Sequence, residues 1–204
     1  MSGKPINVAF VGCGEIAQFH ARALHKTGAA RIVAVFDRQY ENAREISERY
    51  GARQYIEVDP LLADPEIDAV YILTRHDSHA GYIHQALAAN KHIFCEKPLA
   101  LTLEDALDIQ RAVVTSGRFL MVGFNHRWNP AIRWSLEWLA SSTTPVNSVQ
   151  LTFTTAPFLE SWAGLEGEGG GVLPCLGSHA FDLACAFLGD TPNRVAAFTS
   201  RLRL

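Results

Sequence analysis

Two glycines and an acid have the types and spacing to hold a phosphorylated nucleotide. An apolar run, Val8-Ala9-Phe10-Val11, leads directly into Gly12-Cys13-Gly14-Glu15-Ile16-Ala17, and a helical pattern follows to about Gly28. In this G-x-G-x-x-A order Gly12 permits a tight turn. Gly14, lacking a Cβ, lets a pyrophosphate lie against the backbone, and Ala17 is small enough for close helix–strand packing. The N–H groups that open a helix, with the positive end of its dipole, hold an anion. Asp37 ends the next apolar run, Ile32-Val33-Ala34-Val35-Phe36. An acid about 20 residues past the glycines is placed to accept a hydrogen bond from a ribose 2′-OH and to repel a 2′-phosphate. The pattern therefore predicts NAD, while Arg38 beside the acid could bind a 2′-phosphate and keeps NADP possible. Gly12, Gly14, Glu15, Ile16, Asp37 and Arg38 are the candidate cofactor contacts of this stretch.

Three later clusters add reactive groups. Thr74-Arg75-His76-Asp77-Ser78-His79 follows the continuous apolar run Ala69–Leu73. In open α/β sheets ligands lie outside the carboxyl ends of the strands, although such a loop serves equally as a polar connection with helix-capping side chains. Cys95-Glu96-Lys97-Pro98 closes the next short strand. A lysine beside a nicotinamide can hydrogen-bond a substrate hydroxyl and stabilise developing alkoxide; the alternative is a surface lysine before a turn. The third cluster runs from Gly169 to Asp182, and on a helix Cys175, His179 and Asp182 fall at i, i+4 and i+7, one face. His179 has the pKa range of a general base, or it is a core histidine bonded to Asp182. Cys175 and His179 could share a zinc, but third and fourth ligands are not evident, so no metal is expected.

The elements that must position these groups alternate. Strands are predicted over 5–11, 31–36, 53–56, 69–73, 92–95 and 119–122, and helices over 15–27, 40–50, from Asp77 or Ser78 to Ala89, and from Thr102 to about Thr115. Asp59-Pro60 and Asp64-Pro65 read as turns, and Thr102-Leu103-Glu104-Asp105 as a capping box. Such alternation implies right-handed crossovers and a mostly parallel, doubly wound sheet over residues 1–123. After Gly123 the pattern changes. Asn129-Pro130 opens a helix through Trp134 and Trp138, Val149–Thr155 alternates as a half-buried strand, and a Gly-rich stretch, Gly164–Gly171, precedes another helix. Ala196–Leu204 alternates again without a turn or partner strand; two strands do not make a stable sheet, so residues 124–204 are expected to form an incomplete domain, or one that a partner chain completes.

The 204 residues, 48% of them hydrophobic and 19% charged, suffice for a sizeable core. With net charge −3 and no Lys/Arg cluster, nucleic acid and anionic membrane are not expected partners. Cys13, Cys95, Cys175 and Cys185 form no C-x-x-C and no evident disulfide framework. With no signal-peptide core and no long apolar run, a soluble cytoplasmic protein is expected.

With these residues in place, the chain resembles the glucose–fructose oxidoreductase/inositol dehydrogenase (Gfo/Idh/MocA) family. The likeness rests on the glycine fingerprint, on Glu96-Lys97-Pro98 at its distance from that fingerprint, on Gly169-Gly170-Gly171 through Gly177-Ser178-His179-Ala180-Phe181-Asp182, and on Gly123–Pro130. The resemblance implies a Rossmann domain followed by an α+β domain with a mainly antiparallel sheet for substrate binding and oligomer contacts, of which the beginning is present. It implies an NAD- or NADP-dependent dehydrogenase acting on a sugar, cyclic polyol or related hydroxy compound. By the same analogy Lys97 polarises the substrate oxygen, His179 takes the hydroxyl proton, Asp182 orients substrate or His179, Glu96 and Pro98 shape the site, and Thr74 and His79 line the cofactor pocket. A homo-oligomer is expected where the second domain is completed. This chain departs from the family in carrying Cys175 where an acid usually stands four residues before the histidine, and Thr74-Arg75-His76 where T-P-N is common. Two rival readings are a catalytically weak dinucleotide-binding relative with a regulatory or partner role, and an enzyme using NAD for transient oxidation in glycoside cleavage.

Overall fold

The computed structural model describes residues 5–154, 161–165 and 167–198. Two compact units emerge, each over its described residues: one gathers Met1–Gly123 with Pro157–Cys175, the other Phe124–Ala156 with Leu176–Leu204.

The first unit is built on a six-stranded parallel sheet. Its strands are β1 (Ile6–Val11), β2 (Ala30–Phe36), β3 (Arg53–Tyr55), β4 (Ala69–Ile72), β5 (His92–Cys95) and β6 (Leu120–Val122), in the order β3-β2-β1-β4-β5-β6. The helices are α1 (Glu15–Thr27), α2 (Tyr40–Tyr50), α3 (Val58–Ala63), α4 (His79–Ala88) and α5 (Leu103–Ser116). Period-2 side chains explain why β1 reads as an unbroken apolar run. Ala9 and Val11 enter one core cluster, while Val8 and Phe10 enter another. Phe10, Val35 and Ile72 are wholly buried, each contributing about 1.5–3 kcal/mol relative to exposure. Strand order reverses between β1 and β4, which opens a crevice at their carboxyl ends.

Two local expectations are corrected and a third is met. Asp59-Pro60 lies inside α3 rather than at a turn. Proline is tolerated there because first-turn N–H groups have no intrahelical acceptor. Neither Asp77 nor Ser78 caps α4 through its side chain; a 3₁₀ turn over His76–Ser78 leads into the helix, and the Ser78 hydroxyl donates back to the Arg75 carbonyl at 2.8 Å. The Thr102 cap is formed, with the Asp105 N–H donating to Thr102 Oγ1 at 3.1 Å.

The second unit contributes a 3₁₀ turn (Asn125–Trp128), α6 (Pro130–Ser141) and α7 (Ser178–Leu188). Asn129 caps α6 by accepting from the Ala131 N–H at 2.9 Å, with Pro130 at its first turn. The expected strand over Val149–Thr155 is not assigned across its described residues. The alternation is nevertheless present: Val149, Leu151 and Phe153 are partly buried, and Gln150, Thr152 and Thr154 exposed. A strand is defined by a partner's backbone hydrogen bonds, and no ladder is made here. Residues 196–198 likewise carry no strand, and the remainder of the expected alternation, 199–204, together with Thr155, lies outside the described residues.

Candidate functional site

At the carboxyl ends of β1 and β4 the first unit holds a cavity of about 720 Å³, within the range of small-molecule sites. Gly12, Gly14, Glu15, Ile16, Asp37, Arg38 and Thr74 all line it. Gly12 has φ +93°, and a Cβ there would come within 2.7 Å of the Leu73 carbonyl carbon and oxygen. The turn after β1 therefore presses on the end of β4, and only glycine fits. Gly14 is different: a Cβ would meet nothing within 4 Å. Gly14 lines the cavity and, with no side chain, leaves its backbone bare there. Ala17, wholly buried, lets α1 approach the sheet.

Asp37 is fixed by the turn it faces. Its Oδ2 accepts from the Cys13 N–H at 2.7 Å and its Oδ1 from the Gln39 N–H at 2.7 Å, with Asn42 Nδ2 at 3.5 Å. A carboxylate offers about four lone-pair sites, so these bonds orient the group while leaving capacity for a ligand hydroxyl. The Cys13 thiol is buried against the Phe36 carbonyl. Burial, then the Asp37 charge, push its pKa far up, so it packs as a neutral thiol.

Thr74 Oγ1 pairs with the Ser78 hydroxyl at 2.7 Å on the cavity wall. His79 is not among the lining residues. It is fully buried, with Nδ1 2.8 Å from the Pro98 carbonyl and Nε2 3.2 Å from the Thr74 carbonyl. Burial holds its pKa below the ordinary value. Of the two residues expected to line the pocket, Thr74 is on the cavity wall, while His79 contacts the loops after β4 and β5.

A part of the wall that the sequence pattern does not announce comes from the described residues of 161–165 and 167–171. Trp162 and Glu168 line the cavity with Arg75. This strap is tied to the loop after β4 by the Arg75–Glu168 ion pair, by the Asp77 N–H donating to the Glu168 carbonyl at 3.2 Å, and by His76 Nδ1 donating to the Gly169 carbonyl at 2.9 Å. The His76 ring meets Trp162 edge-on at 4.8 Å. Burial is the main cause of a lowered His76 pKa. The strap folds on itself so tightly that a Cβ on Gly169 would lie 2.3 Å from Ala163 Cα. Gly-rich composition was the only local signal; the partners are about 90 residues away.

At the end of β5, Glu96 is buried and its Oε1 lies 2.8 Å from His20 Nε2 on α1. Burial alone would raise its pKa; the His20 hydrogen bond and charge, with the Lys97 N–H and ammonium, outweigh burial and hold it below the ordinary carboxylate value. Glu96 Oε2 accepts from the Lys97 N–H at 3.1 Å. Lys97 Nζ donates to the Cys175 carbonyl at 2.9 Å. The Lys97–Pro98 peptide is cis.

In the second unit His179 is buried and its ring lies 4.3 Å from that of His126 and 6.2 Å from that of Phe124. Asp182, on the same helix, accepts from Arg127 Nε at 2.7 Å, a partner 55 residues away that the spacing of α7 does not suggest. Cys175 does not extend the α-helical face. It lies in a π-helical stretch, Leu173–Gly177, that precedes α7, and the changed winding breaks the i, i+4 relation to His179. Among the described residues no group of three or more His, Cys, Asp or Glu is arranged to hold a metal ion, and no helix is long and apolar enough to cross a membrane.

A parallel sheet in this order, with a glycine turn opening onto a cavity at the switch point, defines a doubly wound α/β domain of the dinucleotide-binding type. Residues 6–124 match the oxidoreductase family with NAD-binding Rossmann fold, and residues 145–204 match the Gfo/Idh/MocA C-terminal domain; the chain belongs to the Gfo/Idh/MocA family. It is 32% identical over 195 residues to an inositol 2-dehydrogenase of Rhizobium meliloti (strain 1021), covering 94% of this chain and 58% of that protein. Identity to the D-apiose dehydrogenase of Paraburkholderia graminis is 32% over 208 residues, covering 98% and 54%. A solved 3-ketoreductase from Actinomadura kijaniata, in complex with NADP and TDP-benzene, superposes with TM-score 0.82 at 28% identity, covering 91% of this chain and 58% of that one. The chain thus spans little more than half the length of these relatives.

Proposed function

We propose that the protein carrying this chain is an NAD(P)-dependent oxidoreductase that moves a hydride between a CH–OH group of a sugar, cyclic polyol or related compound and the nicotinamide. One observation carries the reading: the cavity at the β1–β4 switch point, bare of side chains at Gly12 and Gly14 and bordered by the fixed carboxylate of Asp37. These residues fit a dinucleotide. The open side of Gly14 suits a pyrophosphate, the first turn of α1 suits its charge, and Asp37 suits a ribose diol and favours NAD over NADP. When bound, the nicotinamide supplies the hydride acceptor. Lys97 donates to the substrate oxygen and stabilises the negative charge left as the hydroxyl proton departs. Its ammonium has three donors, so the contacts to the Cys175 carbonyl and thiol leave a donor for substrate. Glu96, ionised beside His20, steadies the Lys97 backbone. His179 takes the hydroxyl proton as general base. Asp182, itself held by Arg127, orients substrate or His179.

The relatives named inositol 2-dehydrogenase and D-apiose dehydrogenase support a polyol or sugar substrate. The reading extends to a cytoplasmic homo-oligomer with no nucleic-acid or membrane partner. A spectrophotometric screen of polyols and sugars with NAD tests it: net NADH formation supports it. Nucleotide binding without turnover supports a catalytically weak dinucleotide-binding protein instead, a reading favoured by Cys175 in place of the family's usual acid. Turnover without net NADH points to transient oxidation.

A further inference from the structure

We propose that Arg75 is a phosphate ligand of the dinucleotide cavity and that the Glu168 carboxylate is its internal competitor, displaced when the nucleotide enters. The inference rests on the dinucleotide reading of that cavity. Arg75 stands directly after Thr74, on the loop whose backbone the Gly12 turn touches, and both Arg75 and Glu168 line the cavity. An anion lying against Gly14 at the switch point would share its cavity with a guanidinium that already has a carboxylate partner.

Exposure decides which partner wins. The side chains of the Arg75–Glu168 pair are 54% and 36% exposed, and ion pairs this accessible to water are weak. A phosphate offers Arg two parallel hydrogen bonds and a larger charge. Arg75 is also 5.8 Å from the Trp162 ring, within the range of a cation–π contact. That contact keeps the guanidinium on the wall after Glu168 lets go. The strap does not depend on the ion pair. The Glu168 carbonyl still accepts from the Asp77 N–H, and the Gly169 carbonyl from His76. Exchange of partners by Arg75 thus leaves the wall in place.

The test is an equilibrium titration of the intact protein with NADH, ADP and adenosine. Glu168→Gln, which keeps size and removes charge, is expected to lower Kd for NADH and ADP about two- to fivefold, the scale of an exposed ion pair, and to leave adenosine unchanged. Arg75→Gln weakens NADH and ADP but not adenosine, and in its background Glu168→Gln gives no further gain. If Glu168→Gln binds NADH no tighter while the wild type binds it, this proposal falls and the dinucleotide reading stands. A wild type that binds neither NADH nor ADP overturns both. Should Glu168→Gln melt early, Arg75→Gln decides alone: an equal loss for ADP and adenosine overturns the phosphate assignment.

Discussion

The two units differ in how far their apolar residues find partners. In the first, β1, β2 and β4 bury Phe10, Val11, Val35 and Ile72 completely, and every strand pairs in parallel with its neighbour. In the second, α6 buries none of its residues, and Trp128, Trp134 and Trp138 remain more than half exposed. A helix closes its hydrogen bonds within its own segment, whereas a strand needs a partner, as residues 149–154 show by alternating without pairing. The contrast also divides the chemistry. The proposed nucleotide-binding groups lie at the strand ends of the first unit, and the proposed base, His179, belongs to the second. If that division holds, binding and turnover separate under mutation.

Replacing Lys97 by Ala, or His179 by Asn, should give the largest change: kcat lower by about 10²–10³, with Kd for NADH nearly constant. Steady-state turnover and NADH titration on the same preparations check this, and lost binding with surviving turnover would reverse the division. Gly12→Ala should follow, through stability. Its φ and its contact with Leu73 cost about 2–4 kcal/mol, read as a lowered denaturation midpoint. Asp37→Ala should shift the NADH/NADPH preference toward NADPH by about tenfold, measured as a ratio of Kd values.

The smallest effect expected is a pH dependence. Burial depresses the His79 pKa below its ordinary value of 6.5. Below that value the unfolded state binds more protons than the folded one. The stability contribution is therefore full above about 6.5 and is lost as pH falls toward the folded value. His79→Gln should flatten the fall of Tm between pH 7 and 5, although its midpoint at pH 7 is lower because two carbonyl contacts are weakened. An unchanged slope would remove His79 as the source.

What was legible in the sequence was what is local. The glycine turn, Asp37 at the end of β2, the Thr102 and Asn129 caps and the period-2 runs each carry their own signal within a few residues, and the parallel, doubly wound character of the sheet follows from alternation with right-handed crossovers. Asp59-Pro60 misled because proline suits a turn and a helix start equally. Cys175, His179 and Asp182 gave an α-helical face on paper; the π-helical stretch before Ser178 removed the cysteine from it. His20 with Glu96, Arg127 with Asp182 and Arg75 with Glu168 lie 55 to 93 residues apart, and nothing in the periodicity of either segment announces such pairs.

Gly14→Ala gives the most direct measurement of the central claim, because Gly14 lines the cavity and a methyl group there meets nothing within 4 Å beyond its chain neighbours. The expected result is a melting temperature close to wild type and a Kd for NADH raised tenfold or more, on the order of the cost of misplacing a charged hydrogen-bonded group. An equal Kd for wild type and Gly14→Ala, at equal stability, would contradict it.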